Sequence, residues 1–430
     1  MSEERFDVII VGGGLAGSAA AYTLAGAGKK VIVIERGASC GCKNMTGGRL
    51  YGHSLRRLIG DYEKFAPLER RITKERVSFM TGDSATTLAF SNKKLGGRNA
   101  ASYSVIRADL DKWLAAEAEK RGALYINGIR VDDLTIRNGK VCGVRAGEDC
   151  LEANVVILAD GANSLLAQKA GLMKRQSSAE YAVGVKEVIK LPPEVINERF
   201  GLEDDREGAA WMFAGEPTKG GIGGAFLYTN RDSVSLGIVA TVGDIGYSDT
   251  GIAAMLEEFR ANPLIAPLIA DGELLEYSAH LVPEGGYGMM PKLCGHGVMV
   301  VGDAAGMVMN LGYVVRGMDL AIESGRLAAE TYLELADRHD FTPKAMSLYR
   351  KKLEHSFVLH EMRRHRTAPR AFANRNVFTR LPKLAEGAMN AMFTVDGDNT
   401  AGLAMKILAV AQKYGFAALI RDLLQLLGAV

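Results

Sequence analysis

The stretch FDVIIVGGGLAGSAAAYTLAGAGKKVIVIER, Phe6 to Arg36, decides how the rest of the chain is read. Asp7 to Val11 is a short, nearly all-apolar run rich in β-branched residues, which predicts a buried strand. It runs into Gly12-Gly13-Gly14-Leu15-Ala16-Gly17, which fits G-x-G-x-x-G. Ser18 to Ala27 is alanine-rich and helix-prone, and a second apolar strand, Val31 to Ile34, closes on Glu35. Gly12 permits a tight turn out of the strand, and Gly14 lets a pyrophosphate approach the backbone. Gly17 lets helix and strand pack closely, and the helix N-terminus supplies free N–H groups and a positive dipole end. Glu35 lies 35 − 17 = 18 residues after Gly17, where a carboxylate meets a ribose hydroxyl pair. The unit predicts a dinucleotide site and leaves FAD or NAD open.

Composition narrows the class. With 430 residues the chain needs two or three structural units. Hydrophobic content of 48% and charged content of 24% are those of a globular protein, and a net charge of +2 gives no signal for nucleic acid. Cys40, Cys42, Cys142, Cys150 and Cys294 form no C-x-x-C pair, so a metal site is not expected and a reducing compartment is. No signal peptide and no apolar run of roughly 18–20 residues is visible, so a cytoplasmic protein is expected, with attachment to a membrane surface left open.

Further along, Gly37 to Arg49 is a loop of small residues with Lys43, Gly48 and Arg49, suited to wrapping a phosphate-bearing or flat ligand. His53 to Leu68 reads as helix and Arg70 to Phe90 as strand. Arg107 opens an amphipathic helix, and Asn138-Gly139 marks a hairpin in a small meander. Two more strands end on an acid in a glycine turn: Val155 to Leu158 before Asp160-Gly161, and Val298 to Val301 before Gly302-Asp303. The latter runs on to Gly317-Met318 and a helix whose N-terminus suits an electron-rich ring edge, with Asp303 suited to a polyol chain. Strand alternation dominates Tyr181 to Pro283. Lys219 to Gly224 is glycine-rich but precedes no helix, and is not read as a second nucleotide site. Beyond Thr342 the chain is helical. Residues 350–383 hold ten Arg or Lys against Glu354 and Glu361, a local excess of 10 − 2 = +8. The final amphipathic pattern (Met405, Leu408, Phe416, Leu419, Ile420, Leu423, Leu427) is expected to pack on the protein's own core in preference to docking on a membrane.

These strand-end motifs in this order resemble α/β oxidoreductases of the glutathione-reductase-like type: an FAD-binding, Rossmann-type domain, an inserted mostly antiparallel β-sheet substrate domain and a helical C-terminal region. The expected division is 1–180 with 290–335, 181–289, and 336–430. The stretches GCKNMTGGRLYGHSL, ILADGANS, AVGVKEVI, GGAFLYTN, EYSAHLVPEGG and VGDAAGMVMNLGYVVRGMDLAI resemble, more narrowly, the electron-transfer flavoprotein–quinone oxidoreductase family and its Fix-complex branch. The resemblance implies FAD, with Gly12, Gly14, Leu15, Ala16 and Gly17 at the pyrophosphate and Glu35 at the adenosine ribose. Arg36, Lys43, Gly48, Arg49 and Arg107 would line the cleft, and Val131 would face the adenine. Asp160 and Gly161 would close over the cofactor, Gly302 and Asp303 would meet the ribityl chain, and Gly317 and Met318 would offer amides to the flavin ring. Where related reductases have a Pro after the Gly-Asp motif, this chain has Met309-Asn310.

No catalytic acid or base is expected, because the flavin carries the redox chemistry; His53 and His280 are read as structural. The implied partners are a two-subunit electron-transfer flavoprotein as donor, a ferredoxin-like iron–sulfur subunit, a quinone and the membrane surface, with no nucleic acid. Only Cys294 lies beyond residue 150, too few cysteines for a cluster in cis. The rival expectations are a prenyl double-bond reductase of the geranylgeranyl-reductase type and an FAD-binding assembly subunit without turnover.

Overall fold

A computed structural model describes residues 5–44, 48–174, 176–395, 397 and 401–428. Met45, Thr46 and Gly47 of the expected ligand-wrapping loop, and the side chains of Leu423 and Leu427, lie outside this description.

The chain opens with β1 (Arg5–Val11), α1 (Leu15–Gly26) and β2 (Val31–Glu35), the unit read from the sequence. β3 (Gly48–Tyr51), α2 (His53–Leu58), β4 (Leu68–Met80), β5 (Ala85–Ser91), β6 (Ser102–Val105), α3 (Arg107–Glu119) and β7 (Leu124–Asn127) follow. Next come β8 (Asp133–Arg137), β9 (Lys140–Ala146), β10 (Asp149–Leu158) and the short α4 (Leu165–Lys169). β11 (Tyr181–Lys190), α5 (Pro193–Phe200), β12 (Glu207–Gly215), β13 (Gly223–Thr229), β14 (Ser233–Thr241), α6 (Ile252–Ala261), α7 (Ala266–Ile269) and β15 (Glu273–Pro283) build the middle of the chain. It returns through β16 (Cys294–Gly295), β17 (Val298–Val300), β18 (Met309–Asn310), β19 (Val315–Arg316) and α8 (Met318–Ala336). It continues with α9 (Pro343–His355), α10 (Phe357–Arg364), α11 (Ala368–Phe372), α12 (Asn376–Phe393), α13 (Leu403–Tyr414) and α14 (Phe416–Leu427).

The first sheet runs β16-β17-β10-β1-β2-β7, with the β8–β9 hairpin added beside β10. β17, β10, β1, β2 and β7 are mutually parallel. Parallel strands are covered on both faces and read as continuous apolar runs, and Val8, Ile9, Ile10, Val155, Val156 and Ile157 are all fully buried. The carboxyl ends of β1, β10 and β17 meet at one edge, where Gly12, Asp160 and Asp303 leave the sheet. Ligands of open α/β sheets bind at such an edge. The hairpin turns at Asn138 and Gly139, both with positive φ (51° and 74°), as an Asn-Gly turn requires.

The second sheet runs β15-β11-β14-β13-β12-β4-β6-β3, with β5 beside β4. Every described pairing in it is antiparallel except β12 with β4. The expected boundary at residue 181 does not follow this sheet, because β3, β4, β5 and β6 join it from the first quarter of the chain. The pairing of Ala210 with Glu75 is made across a sequence distance that no local pattern reports. Nor is the C-terminal region separate: Met346, Tyr349, Leu353, Val358 and Met362 of α9 and α10 belong to the same core as the parallel strands. The expected helix from His53 to Leu68 stops at Leu58, where Ile59 turns extended.

The last two helices also depart from expectation. α13 has no buried residue, and Leu403, Met405, Ile407, Leu408, Phe416, Ile420 and Leu424 are exposed. Leu419 and Asp422 tuck inward, the latter paired with Arg380 of α12 at 3.2 Å. Among the described residues no single helix is long and apolar enough to cross a membrane.

Candidate functional site

Backbone contacts fix the first turn of the site. Gly12 has φ +105°, and a Cβ there would sit 2.3 Å from the Ala159 carbonyl oxygen. A Cβ on Gly17 would sit 2.0 Å from the Gly12 carbonyl oxygen, so strand and helix are in backbone contact. At Gly14, by contrast, the nearest atom would be 3.9 Å away, which leaves room above the α1 N-terminus. Among the described residues no side chain caps that terminus, nor that of α8 at Gly317. Both therefore keep backbone N–H groups facing outward, the arrangement that takes anionic or electron-rich atoms.

Glu35 holds the edge of this turn. Its Oε2 accepts from the Gly13 N–H at 2.9 Å and its Oε1 from the Gly37 N–H at 2.6 Å. A carboxylate has about four acceptor positions, so both oxygens retain capacity for hydroxyl donors.

These elements open into a cavity of about 1650 Å³ between the carboxyl edge of the parallel strands, the second sheet and the C-terminal helices. It exceeds the roughly 300–1,000 Å³ of ordinary small-molecule sites. Gly12, Gly14, Leu15, Ala16, Glu35, Arg36, Lys43, Gly48, Arg49, Arg107, Val131, Asp160, Gly161, Asp303, Gly317 and Met318 all line it. Gly17 and Gly302 do not, and their work is packing. A Cβ on Gly302 would stand 2.9 Å from the Ala16 Cβ, where α1 approaches α8.

The charged members are in distinct states. Asp160 has a buried Oδ1 with no hydrogen-bond partner, and burial pushes its carboxyl up to about 6. Burial also raises Asp303, with Arg107 opposing the shift. Arg107 is itself clamped by Asp111, through Nε to Oδ1 at 3.0 Å and Nη2 to Oδ2 at 2.9 Å, and Asn44 donates to the same carboxylate. Arg49 lines the wall, but its donors go to Glu75 and to Ser102 Oγ at 3.0 Å. An orphaned buried carboxylate oxygen, two uncapped helix N-termini and the open space over Gly14 form a fitting cradle for a dinucleotide.

Near the α8 N-terminus lies a cluster that the sequence did not reveal. Asp319, fully buried, accepts from Arg316 Nε at 2.9 Å and lies 3.3 Å from His53 Nε2. Burial would raise this carboxyl, but His53 and Arg316 hold it below its ordinary value. His53 is thus part of the support for the helix end. His280 instead lines the cavity, pushed down by burial and then by Arg107 and Arg36. Other contributors missed from sequence are Asp111, whose i,i+4 spacing from Arg107 was a usable signal, and Gly325. A Cβ on Gly325 would lie 2.0 Å from the Ala16 carbonyl oxygen. The Met309-Asn310 departure becomes a small hairpin, β18 pairing with β19, turned at Gly312 with φ +78°.

Comparison with known proteins agrees with this geometry. Residues 7–92 match the family model described as FAD dependent oxidoreductase. A geranylgeranyl bacteriochlorophyll reductase-like protein from Thermoplasma acidophilum has the same fold, with a TM-score of 0.72 at 23% identity over 98% of this chain and 99% of that one. Halogenase PltM, solved with phloroglucinol and FAD, matches with a TM-score of 0.63 at 16% identity over 99% and 86%. Fold and site define an FAD-dependent oxidoreductase.

The nearer relatives narrow the class. Residues 368–430 match the ETF-QO/FixC family C-terminal domain. Over 422 residues the chain is 50% identical to the probable electron transfer flavoprotein-quinone oxidoreductase YdiS of Escherichia coli (strain K12), covering 98% of both. The same identity and coverage hold for Protein FixC of Salmonella typhi. The chain belongs to the electron transfer flavoprotein–quinone oxidoreductase/FixC family, and it is an FAD-dependent electron-transfer oxidoreductase.

Proposed function

We propose that this protein accepts electrons from a partner two-subunit electron-transfer flavoprotein and passes them through FAD to a membrane quinone, within a Fix-type complex. The observation that carries the reading is that one cavity holds both a dinucleotide cradle and an apolar arm. Beyond the cradle its wall is Val77, Phe79, Met212 and Phe226 of the second sheet and Phe372 and Phe378 of α11 and α12. A quinone head and the start of its prenyl tail suit such a wall, since burying apolar surface is favourable at roughly 25 cal/mol per Å².

In this reading Gly12, Gly14, Leu15, Ala16 and the α1 N-terminus hold the pyrophosphate, with Gly17 and Gly302 setting the spacing. Glu35 takes the ribose, Val131 faces the adenine, and Arg36, Lys43 and Arg107 supply positive potential. Asp160 and Gly161 close the cleft and Asp303 takes the ribityl hydroxyls. Gly317 and Met318 present amides to the ring, beside Gly48. Arg49, committed to Glu75, forms wall only. When bound, FAD supplies the redox chemistry, and the protein positions it and tunes its potential. With Cys294 the only cysteine after Cys150, an iron–sulfur relay belongs to a separate ferredoxin-like subunit. The exposed apolar side chains of α13 and α14 suit a membrane surface, where the quinone resides.

The test is to mix the reduced donor flavoprotein with the FAD-loaded protein and a soluble quinone, following flavin absorbance. Reduction of the bound FAD by the donor, then its reoxidation by the quinone, is expected; FAD that stays oxidised contradicts the reading. The apolar arm also favours one rival, reduction of an isoprenoid double bond. Turnover of geranylgeranyl substrates with a chemical reductant, without quinone reactivity, would establish that rival instead.

A further inference from the structure

The second sheet has two unlike faces. Val185, Trp211, Phe213, Leu227, Leu236 and Ile238 close one of them against side chains of α5, α6 and α7. The other looks toward the cofactor cavity, which Met212, Phe226, Tyr228 and His280 line. On that face the register sets Lys186 of β11 opposite Ser278 of β15, Gly184 opposite His280, and Val188 opposite Glu276. Directly opposed residues share a face, and so do residues two apart along a strand. Lys186, Glu276, Ser278 and His280 therefore form one polar strip, running from the edge strand to the cavity wall.

The strip is half-buried at Glu276, Ser278 and His280 and closes fully at Lys186. Lys186 is 0% exposed. On its other flank β14 offers Gly237, where a Cβ would stand 2.5 Å from the Phe226 ring, so an aromatic side chain seals that side. Ser278 Oγ is buried without a hydrogen-bond partner. Burial drives the Lys186 ammonium well below its ordinary range; Glu276 opposes that shift and Arg107 of α3 adds to it. Arg107 and Arg36 act on His280 in the same direction. A lysine buried in a strand costs stability that a methionine would not, and a site where burial and neighbouring cations set the charge state is a functional candidate.

We propose that Lys186 is a redox-linked proton acceptor: it takes up a proton through the Glu276–Ser278–His280 strip when the bound cofactor is reduced, and releases it on reoxidation. The donor flavoprotein supplies the electrons and solvent supplies the proton, which ends on the Nζ lone pair; no bond within the chain breaks. Added negative charge in the cavity favours the protonated amine, and the protonated amine favours the reduced cofactor. The inference rests on the cofactor lying in this cavity, as proposed above.

The experiment uses full-length protein loaded with FAD, as wild type, Lys186→Met and Lys186→Arg, with FAD content measured by absorbance. Proton uptake on photoreduction is followed with an indicator dye near neutral pH, and the midpoint potential is measured alongside. Wild type should take up about one more proton per FAD than Lys186→Met, as one amine site dictates. The Met variant should lose about tenfold in its preference for reduced over oxidised cofactor, which is about 30 mV for a two-electron couple. Lys186→Arg, always charged, should hold the potential at or above the wild-type value and lose the extra proton. Glu276→Gln, toward the sheet edge, should slow uptake with FAD content unchanged, and it serves if the arginine does not fold. Unchanged uptake and potential in Lys186→Met would overturn the proposal. An Asp303→Asn protein with undiminished FAD affinity would instead refute the cofactor placement, whatever Lys186 does.

Discussion

The β1–α1–β2 clasp and the α13–α14 arm are both apolar-rich, glycine-punctuated segments near an end of the chain, and they differ in what covers them. In the clasp, ten of the twelve α1 residues are buried and Val8, Ile9 and Ile10 have no exposure at all. Its Gly12 and Gly17 are in contact with backbone. In the arm, α13 buries nothing and Phe416, Ile420 and Leu424 of α14 face outward. Gly402, at its start, would carry a Cβ into open space. A glycine pressed against backbone fixes its neighbours' positions, so its sequence spacing is informative. An apolar stripe exposed among the described residues reports only that some apolar partner suits it.

Substitutions can break this contrast, beginning with the largest effect. Gly17→Val should unfold the clasp and abolish FAD retention, since its Cβ meets the Gly12 carbonyl at 2.0 Å and overpacking against backbone exceeds the usual 1–3 kcal/mol or so. Gly402→Ala should change stability by less than about 0.5 kcal/mol; urea unfolding measures both. Asp303→Ala should weaken FAD binding roughly 10- to 100-fold, the loss of hydrogen bonds to a charged group worth about 1.5–3 kcal/mol, read by equilibrium dialysis.

In the arm, the double variant Phe416→Asp, Ile420→Asp should leave urea stability nearly unchanged and abolish binding to anionic vesicles in a flotation assay, each lost apolar side chain contributing up to roughly 1.5–3 kcal/mol. Neutralising Arg363, Arg364 and Arg366 should weaken vesicle or acidic-partner docking by about 1 kcal/mol per residue at low salt and much less at high salt. Equal binding at low salt would remove that surface from the account.

A pH series sharpens the clasp itself. The Asp160 carboxyl is raised to about 6 in the folded chain, above its unfolded value, so the folded state binds the proton more tightly. Its contribution to the stability of the FAD-free protein is fully present below the unfolded value and is lost as pH rises through about 6. Asp160→Asn should flatten that part of the thermal-midpoint profile.

Much of this was legible in sequence for a physical reason. The three strand-end turns, at Gly12, Asp160 and Asp303, each follow an apolar run whose burial is local in origin, and the Asn138-Gly139 hairpin needs only its own two residues. The second sheet was half legible, because β12 recruits β4 across more than a hundred residues. Arg70, fully buried, donates to the carbonyls of Asn230 and Arg231 at 2.5 and 2.9 Å, contacts no local pattern anticipates. The excess of positive charge over 350–383 is likewise reduced by distant acids: Arg375 pairs with Asp244, Arg380 with Asp422 and Lys352 with Glu334.

The central claim is that cofactor and quinone share one cavity, and Met212 stands on the wall of its apolar arm. The direct measurement is reoxidation of photoreduced FAD by a soluble quinone in wild type and in Met212→Trp, at equal FAD content. Rapid reoxidation in wild type, slowed at least about tenfold by a side chain that overfills the arm at a cost of 1–3 kcal/mol or so, is the predicted result. Equal rates in the two proteins, or a wild-type flavin that the quinone leaves reduced, would contradict it.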